Sequence, residues 1–155
     1  MPSPLDSLAG PGRSLAVEAP DRAEFEGLVR SGRARLADAA NASLSIESRF
    51  DLVYNAAHAL CLAALRHRGY RSGNRYVVFQ VLPHTLGLGP EVWRILDRAH
   101  ADRNAAEYSG QSHLEPAFVG AMIDACRKVL DAVERLPPIE PVSLSARTAP
   151  RTEPT

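Results

Sequence analysis

The apolar residues of this chain recur three and four positions apart over most of residues 21–136. That spacing places them on one side of an α-helix, and no run of alternating apolar and polar residues indicates a half-buried strand. The pattern therefore predicts an all-α fold, an antiparallel bundle of about five helices joined by short loops. The predicted helices cover approximately residues 21–41, 45–69, 74–86, 90–108 and 115–136.

Residues suited to helix ends support these boundaries. Asp21 can cap the first helix while Glu24 reaches back to it, and Gly69 suits a left-handed end of the second helix. Residues 52–65 are apolar nearly all round, which predicts that the second helix is central. The third helix is ambiguous, because the β-branched residues of "RYVVFQVL" also suit a strand and Pro83 can kink or end a helix.

The two ends of the chain have a different composition. Residues 1–20 and 137–155 are rich in Pro, Ser, Gly and Thr and poor in large apolar groups. Such segments bury too little surface to offset the entropy of ordering, so we expect two flexible tails. The chain of 155 residues is then predicted to contain one domain, which covers residues 21–136.

The charged residues are balanced over the whole chain but unevenly distributed along it. The formal net charge is zero, yet no acidic residue lies between positions 51 and 91. The string "RHRGYRSGNRY" falls in this interval, and its Arg68, Arg71 and Arg75 are candidates for phosphate contact beside Tyr70 and Tyr76, which can stack on bases. The alternative is a solvated helix end whose positive charges complement the helix dipole.

Several kinds of site and location are not predicted. Cys61 and Cys126 lie in apolar helical stretches and are expected to be reduced core residues. The five histidines show no pair at helical ligand spacing, so we expect no metal and no cofactor. The chain lacks a signal-peptide pattern and any apolar run of roughly 18 residues, so a cytoplasmic protein without membrane contact is expected.

Arg103 stands where the helical pattern predicts core. Successive turns of the fourth helix place it on the apolar face formed by Val92, Ile95, Leu96, Ala99 and Ala106. A guanidinium cannot shed its charge, so it must be paired, hydrated in a groove or pressed against a second subunit. One interpretation is an ion pair with Glu107, helped by Asn55 or Asp51. The other is a groove in which Arg103 holds a phosphate or nucleotide.

The segments "YNAAHALCLAALRHRGYR" and "RNAAEY", in a chain of five predicted helices, resemble the HEPN superfamily of nucleotide-binding helical domains found in higher eukaryotes and prokaryotes. In that family an arginine, usually followed by a polar residue such as asparagine, precedes a histidine by about four to six residues. Two protomers bring these motifs together at a dimer cleft. Arg103 and Asn104 match the first half, so the resemblance implies a homodimer that binds nucleotide or RNA through them.

The second half of the family motif does not match. Tyr108 stands where toxin-like ribonucleases of the family carry histidine, and an unperturbed tyrosine is a poor general base at neutral pH. His100, one turn before Arg103, is the candidate substitute. The candidates for a catalytic role are therefore Arg103, Asn104, Tyr108 and His100.

Three functions follow from this sequence. The favoured one is a non-catalytic nucleotide- or RNA-binding module that uses Arg103, Asn104, Tyr108 and the arginines of the acid-free interval. The first alternative is a metal-independent ribonuclease toxin, which the resemblance connects in some members with a separately encoded minimal nucleotidyltransferase antitoxin. The second alternative is a structural module in which Arg103 orders a dimer interface.

Overall fold

The computed structural model describes residues 4–109 and 114–140, apart from the side chains of residues 105–109. Within these ranges the chain forms six α-helices, one short 3-10 helix (Asp6–Leu8) and one two-stranded sheet, so it is mainly all-α, as the apolar spacing predicts. The helices are α1 (Arg22–Ala39), α2 (Ile46–His67), α3 (Arg75–Gln80), α4 (Leu82–Thr85), α5 (Pro90–Ser109) and α6 (Pro116–Glu134). The strands are β1 (Leu15–Val17) and β2 (Tyr70–Ser72).

Side-chain caps fix the helix ends close to the predicted positions. The Asp21 carboxylate accepts a hydrogen bond from the Glu24 amide at 3.1 Å, and the Ser45 hydroxyl accepts one from the Ser48 amide at 3.2 Å. Gly69 follows the end of α2 with a φ of +89°, the left-handed conformation that glycine adopts readily. The predicted capping box is only half formed, because two arginines bind the Glu24 carboxylate.

The ambiguous third element is helical, and the strand interpretation is wrong. Helix α3 ends at Gln80, the chain turns at Val81, and α4 begins at Leu82. Pro83 lies in the first turn of α4, where its missing N–H removes no intrahelical hydrogen bond. The single predicted helix is therefore divided in two.

Helix α2 is the centre of the molecule, as its continuous apolar character predicts, and it contacts α1, α3, α5 and α6. Cys61 on α2 and Cys126 on α6 are both fully buried free thiols. Burial raises the pKa of both thiols, that of Cys126 to about 12. Both cysteines are therefore protonated at neutral pH and serve as small apolar core residues.

The N-terminal segment differs from the expected flexible tail. Strand β1 pairs antiparallel with β2, and Leu5 and Leu15 are only 0% and 1% exposed. Composition gave the wrong expectation for residues 4–20 because two leucines anchor the segment while β2 supplies backbone hydrogen bonds. At the other end, residues 137–140 have no regular structure, the Pro137 carbonyl accepts a hydrogen bond from His67 at 2.7 Å, and residues 141–155 lie outside the described part.

An arginine clasp, formed by Glu18, Glu24, Arg66 and Arg71, fastens this N-terminal segment to the bundle. Arg66 is 1% exposed, and its Nε donates to the Glu24 carboxylate at 2.5 Å. Its Nη1 and Nη2 donate to backbone carbonyls of the N-terminal segment at 2.9 and 2.7 Å. Arg71 donates to Glu18 and Glu24 at 2.6 Å each. The buried charge is tolerated because each guanidinium nitrogen of Arg66 has a hydrogen-bond acceptor.

Candidate functional site

Arg103 lies on the face of α5 that packs inward, as the helical spacing predicts. On this face Ile95 is partly buried, and three other residues that precede Arg103 are 0–1% exposed, namely Val92, Leu96 and Ala99. Arg103 is half-buried, and its guanidinium carbon lies 4.5 Å from the centre of the Tyr54 ring of α2. This distance is within the range of a cation–π contact. The Arg103 side chain thus lies at the boundary between the buried core and the surface of the molecule.

The predicted neighbours of Arg103 fall into two groups. The side chains of Glu107 and Tyr108 lie outside the described residues. The side-chain amide of Asn55 donates to the backbone carbonyl of Asp51 at 2.8 Å, and the Asp51 side chain is exposed. Asn55 is thus committed to its own helix.

Arg103 lines a cleft of about 210 Å³, here called the α5 cleft. Tyr54 from α2, Arg75 from α3, and His100 and Asn104 from α5 line it as well. Two guanidinium groups from different helices therefore share one small concave site with an amide and an imidazole. Among the lining residues that the structure describes, none carries a carboxylate.

His100 is oriented by hydrogen bonds at both ring nitrogens. The Tyr54 hydroxyl lies 2.8 Å from Nδ1, and the side-chain nitrogen of Asn104 lies 3.2 Å from Nε2. An amide nitrogen only donates, so Nε2 accepts and Nδ1 carries the proton that it donates to the Tyr54 oxygen. Tyr54 and Asn104 thus fix the orientation of the His100 ring, with Nδ1 bonded to Tyr54 and the lone pair of Nε2 bonded to Asn104.

His58 on α2 is a second imidazole close to this site. Its ring meets the edge of Phe79, with 6.4 Å between the ring centres. Desolvation is the main cause that lowers the pKa of His58 to about 4, and the charges of Arg75, Arg103 and His100 lower it further. His58 is therefore neutral at neutral pH, and part of its pKa shift reflects positive potential around the α5 cleft.

The structure separates the three arginines of the acid-free interval. Arg75 lines the α5 cleft, while Arg71 belongs to the clasp, where the hydrogen bonds that it donates to Glu24 and Glu18 raise its pKa. Arg68 is exposed at the end of α2 and donates to the backbone carbonyl of Thr85 at 3.4 Å. The cause is the turn after α2, because β2 carries Arg71 to the N-terminal segment while α3 carries Arg75 to α5. Only Arg75 joins Arg103.

Tyr54 and Arg66 are the residues whose roles the sequence analysis missed. Tyr54 lies within the apolar stretch of residues 52–65, yet its side chain contacts both His100 and Arg103. The available signal was the spacing of Tyr54 and His58, which places two polar aromatic groups one turn apart on one helix face. Arg66 gave no such signal, because its carboxylate partners are remote in the sequence.

Comparison of the chain with protein-family models, with curated proteins and with solved structures gives no significant match. The described residues contain no group of three or more His, Cys, Asp or Glu side chains that could hold a metal ion. In the same residues, no helix combines the length and apolar character needed to cross a membrane. The function is therefore inferred from the geometry of the α5 cleft.

Proposed function

We propose that the α5 cleft binds the phosphate groups of a nucleotide or of RNA. The observation that carries this proposal is the convergence of Arg75 and Arg103, from two different helices, on one concave site. Guanidinium groups donate two parallel hydrogen bonds to phosphate oxygens, and the Asn104 amide adds a neutral donor. The resemblance of Arg103 and Asn104 to the first half of the HEPN motif supports the same ligand class.

The electrostatics of the cleft also support an anionic ligand. Desolvation is the largest cause that lowers the pKa of His58 to about 4, and the positive charges of Arg75 and Arg103 contribute to the same shift. A phosphate dianion would offset this potential, so its binding is favoured by charges that the fold already holds in place. In the proposed assembly a homodimer joins two such clefts, and a minimal nucleotidyltransferase is the candidate protein partner.

The test compares three arginine variants in binding to ADP and to a fluorescein-labelled single-stranded RNA. Arg103→Met and Arg75→Met each remove one guanidinium from the cleft, while Arg94→Met removes an exposed one from the same helix α5 as a matched control. We expect Arg103→Met and Arg75→Met to weaken binding by about 1.5–3 kcal/mol, roughly 10- to 150-fold. Arg94→Met is expected to keep the wild-type affinity.

Thermal melts of the same variants separate a ligand site from a scaffold. Arg103→Met is expected to leave the melting temperature unchanged or to raise it, because methionine needs no desolvated partner. If Arg103 is a structural partner of Glu107, Arg103→Met lowers stability by roughly 3–5 kcal/mol and an added Glu107→Gln restores it. That rescue, or wild-type binding by both cleft variants, would contradict the proposal.

A second candidate function is metal-independent RNA cleavage, and the orientation of His100 favours it. Once a ribose 2′-hydroxyl replaces the Asn104 amide as the donor to Nε2, this nitrogen can accept the hydroxyl proton as the oxygen attacks phosphorus. Arg103 would then stabilise the negative charge that develops on the phosphate, and the 5′-oxygen would leave with a proton from water.

RNA cleavage is tested separately from ligand binding. Purified protein should cleave RNA in the presence of EDTA, and His100→Gln should abolish cleavage while keeping RNA affinity. RNA binding without cleavage supports the non-catalytic module. A stable dimer that binds neither ADP nor RNA supports the purely structural alternative.

A further inference from the structure

Two tyrosines follow α2, and the fold places them in different environments. Tyr70 in β2 is 8% exposed, and its hydroxyl donates to the Asp6 carboxylate. Tyr76 in the first turn of α3 is half-buried, so part of its side chain is open to solvent. Of this pair, only Tyr76 has surface left for a ligand.

Tyr76 stands beside the α5 cleft. Its ring centre lies 5.5 Å from that of His100, with the two planes tilted by 41°, and His100 lines the cleft. The preceding residue, Arg75, lines the cleft too. The Asn74 carboxamide oxygen accepts a hydrogen bond from the Tyr76 amide at 2.8 Å, which fixes the start of α3 and hence the position of both side chains.

The other aromatic rings near the cleft are already enclosed. Tyr54 is 1% exposed and Phe79 is 0% exposed, so neither offers a free face of useful size. Tyr76 packs against His100 yet keeps exposed surface, and it lies beside the cleft whose guanidinium groups would hold phosphate. A partly exposed aromatic ring at the edge of a cleft lined by two arginines can contact a flat base while the cleft binds an anion.

We propose that Tyr76 stacks on the nucleobase of a nucleoside phosphate whose phosphates occupy the α5 cleft. This inference depends on the proposed function and names the part of the ligand outside the anion site. A nucleoside diphosphate carries a flat base and a charged diphosphate joined by a ribose, which fits an aromatic ring beside a pair of guanidinium groups. Stacking tolerates any base, since every base has a π-face, so little discrimination among bases is expected.

The experiment measures binding of ADP and of inorganic pyrophosphate by calorimetry, using wild-type protein, two variants of Tyr76 and the variant Arg75→Met. Tyr76→Leu removes the ring and Tyr76→Phe keeps it. For ADP, we expect Tyr76→Leu to weaken binding by about 5- to 150-fold, the range that base–aromatic stacking gives, and Tyr76→Phe to stay within about twofold of wild type. Pyrophosphate has no base, so both Tyr76 variants should bind it as the wild type does. Arg75→Met should weaken the binding of both ligands.

The two ligands keep failure of this inference distinct from failure of the proposed function. Wild-type protein that binds ADP no more tightly than pyrophosphate, or Tyr76→Leu that keeps full ADP affinity, would overturn the base-stacking role and leave the anion site standing. Wild-type protein that binds neither ligand would overturn this inference, and it would overturn the proposed function as well if the protein also fails to bind RNA. Equal loss of ADP and pyrophosphate binding in Tyr76→Leu would mean that the ring only positions Arg75 or His100, which also overturns stacking.

Discussion

Two arginines of this protein have different surroundings, and the difference suggests different roles. Arg66 donates to carboxylates and backbone carbonyls through all three of its nitrogens. Arg103 lies against the face of Tyr54 and lines a cleft that a ligand can enter. The Arg66 guanidinium therefore fastens parts of the fold together, whereas the Arg103 guanidinium lies where an anion that enters the cleft can meet it.

The clasp should make stability depend on pH through Glu24. Hydrogen bonds from Arg66 and then Arg71 lower the pKa of Glu24 below its ordinary value of 4.5. Because the pKa is depressed in the folded state, the stabilisation is complete above about pH 4.5 and is lost as the pH falls through the folded-state pKa. We expect Glu24→Gln to unfold more easily at pH 7 by about 1–3 kcal/mol, a difference that narrows as the pH falls below 4.5.

Glu26→Gln is the matched control for this measurement. Glu26 is on the same helix, and its ion pair with Arg22 joins two side chains that are 57% and 54% exposed. Such a pair contributes about 0–1 kcal/mol, so denaturant unfolding of Glu26→Gln should follow the wild type between pH 3 and 7. A Glu24→Gln deficit that stays constant over this pH range would show that the charge of Glu24 is not what stabilises the clasp.

The sequence predicts the inward position of Arg103 but not the role of Arg66, and the reason is physical. The position of Arg103 on an apolar face follows from helical spacing within α5, which is a local property. The partners of Arg66 lie 42 and 48 residues earlier in the chain, at Glu24 and Glu18. Which charges meet across such distances is decided by the tertiary fold, and no short-range pattern contains that information.

At the scale of helices, α1 and α2 approach closely at Gly32. A β-carbon built at Gly32 would lie 2.5 Å from Cγ and 2.7 Å from Cδ2 of Leu60, and 3.3 Å from the carbonyl oxygen of Ala56. Leu60 is fully buried, so its side chain has little space into which it can move. The missing side chain at position 32 therefore allows this helix pair to pack.

Gly32→Ala is expected to destabilise the protein by about 1–3 kcal/mol, because overpacking at Leu60 outweighs the better helix propensity of alanine. Equilibrium denaturation by urea measures this change. Gly120→Ala in α6 is the control, since its β-carbon would have no atom within 4 Å. That control should be stabilised by about 0.5–1 kcal/mol. Equal effects of the two substitutions would show that α1 and α2 relax freely around residue 32.

The long helices are predictable because each contains several turns of apolar spacing and a recognisable cap. The strands were missed because β1 and β2 have three residues each, too few for an alternating pattern to register. The division between α3 and α4 depends on where Pro83 can be accommodated, which the packing of Val81 and Leu82 in the core decides. Short elements are thus set by tertiary contacts.

At the scale of the whole molecule, we expect a homodimer through a face that includes α5. The reason is that Arg103 lies half-buried at the edge of a packed face, a position that a second subunit would complete. Sedimentation equilibrium at about 1–50 µM measures the assembly, with and without ADP. Monomer throughout this range would contradict a shared cleft, and a dimer that ADP tightens would support it.

The arginine clasp joins residues that the ribosome synthesises at different times. The Glu18 carbonyl that accepts from Arg66 lies 48 residues earlier in the chain, so it is synthesised well before its partner exists. At about 5–20 residues per second, this separation corresponds to a wait of roughly 2–10 s. During that interval β1 has no partner strand, and its exposed Val17 and unpaired backbone are available to other molecules, including chaperones. This segment is therefore synthesised before either β2 or the clasp can hold it in place.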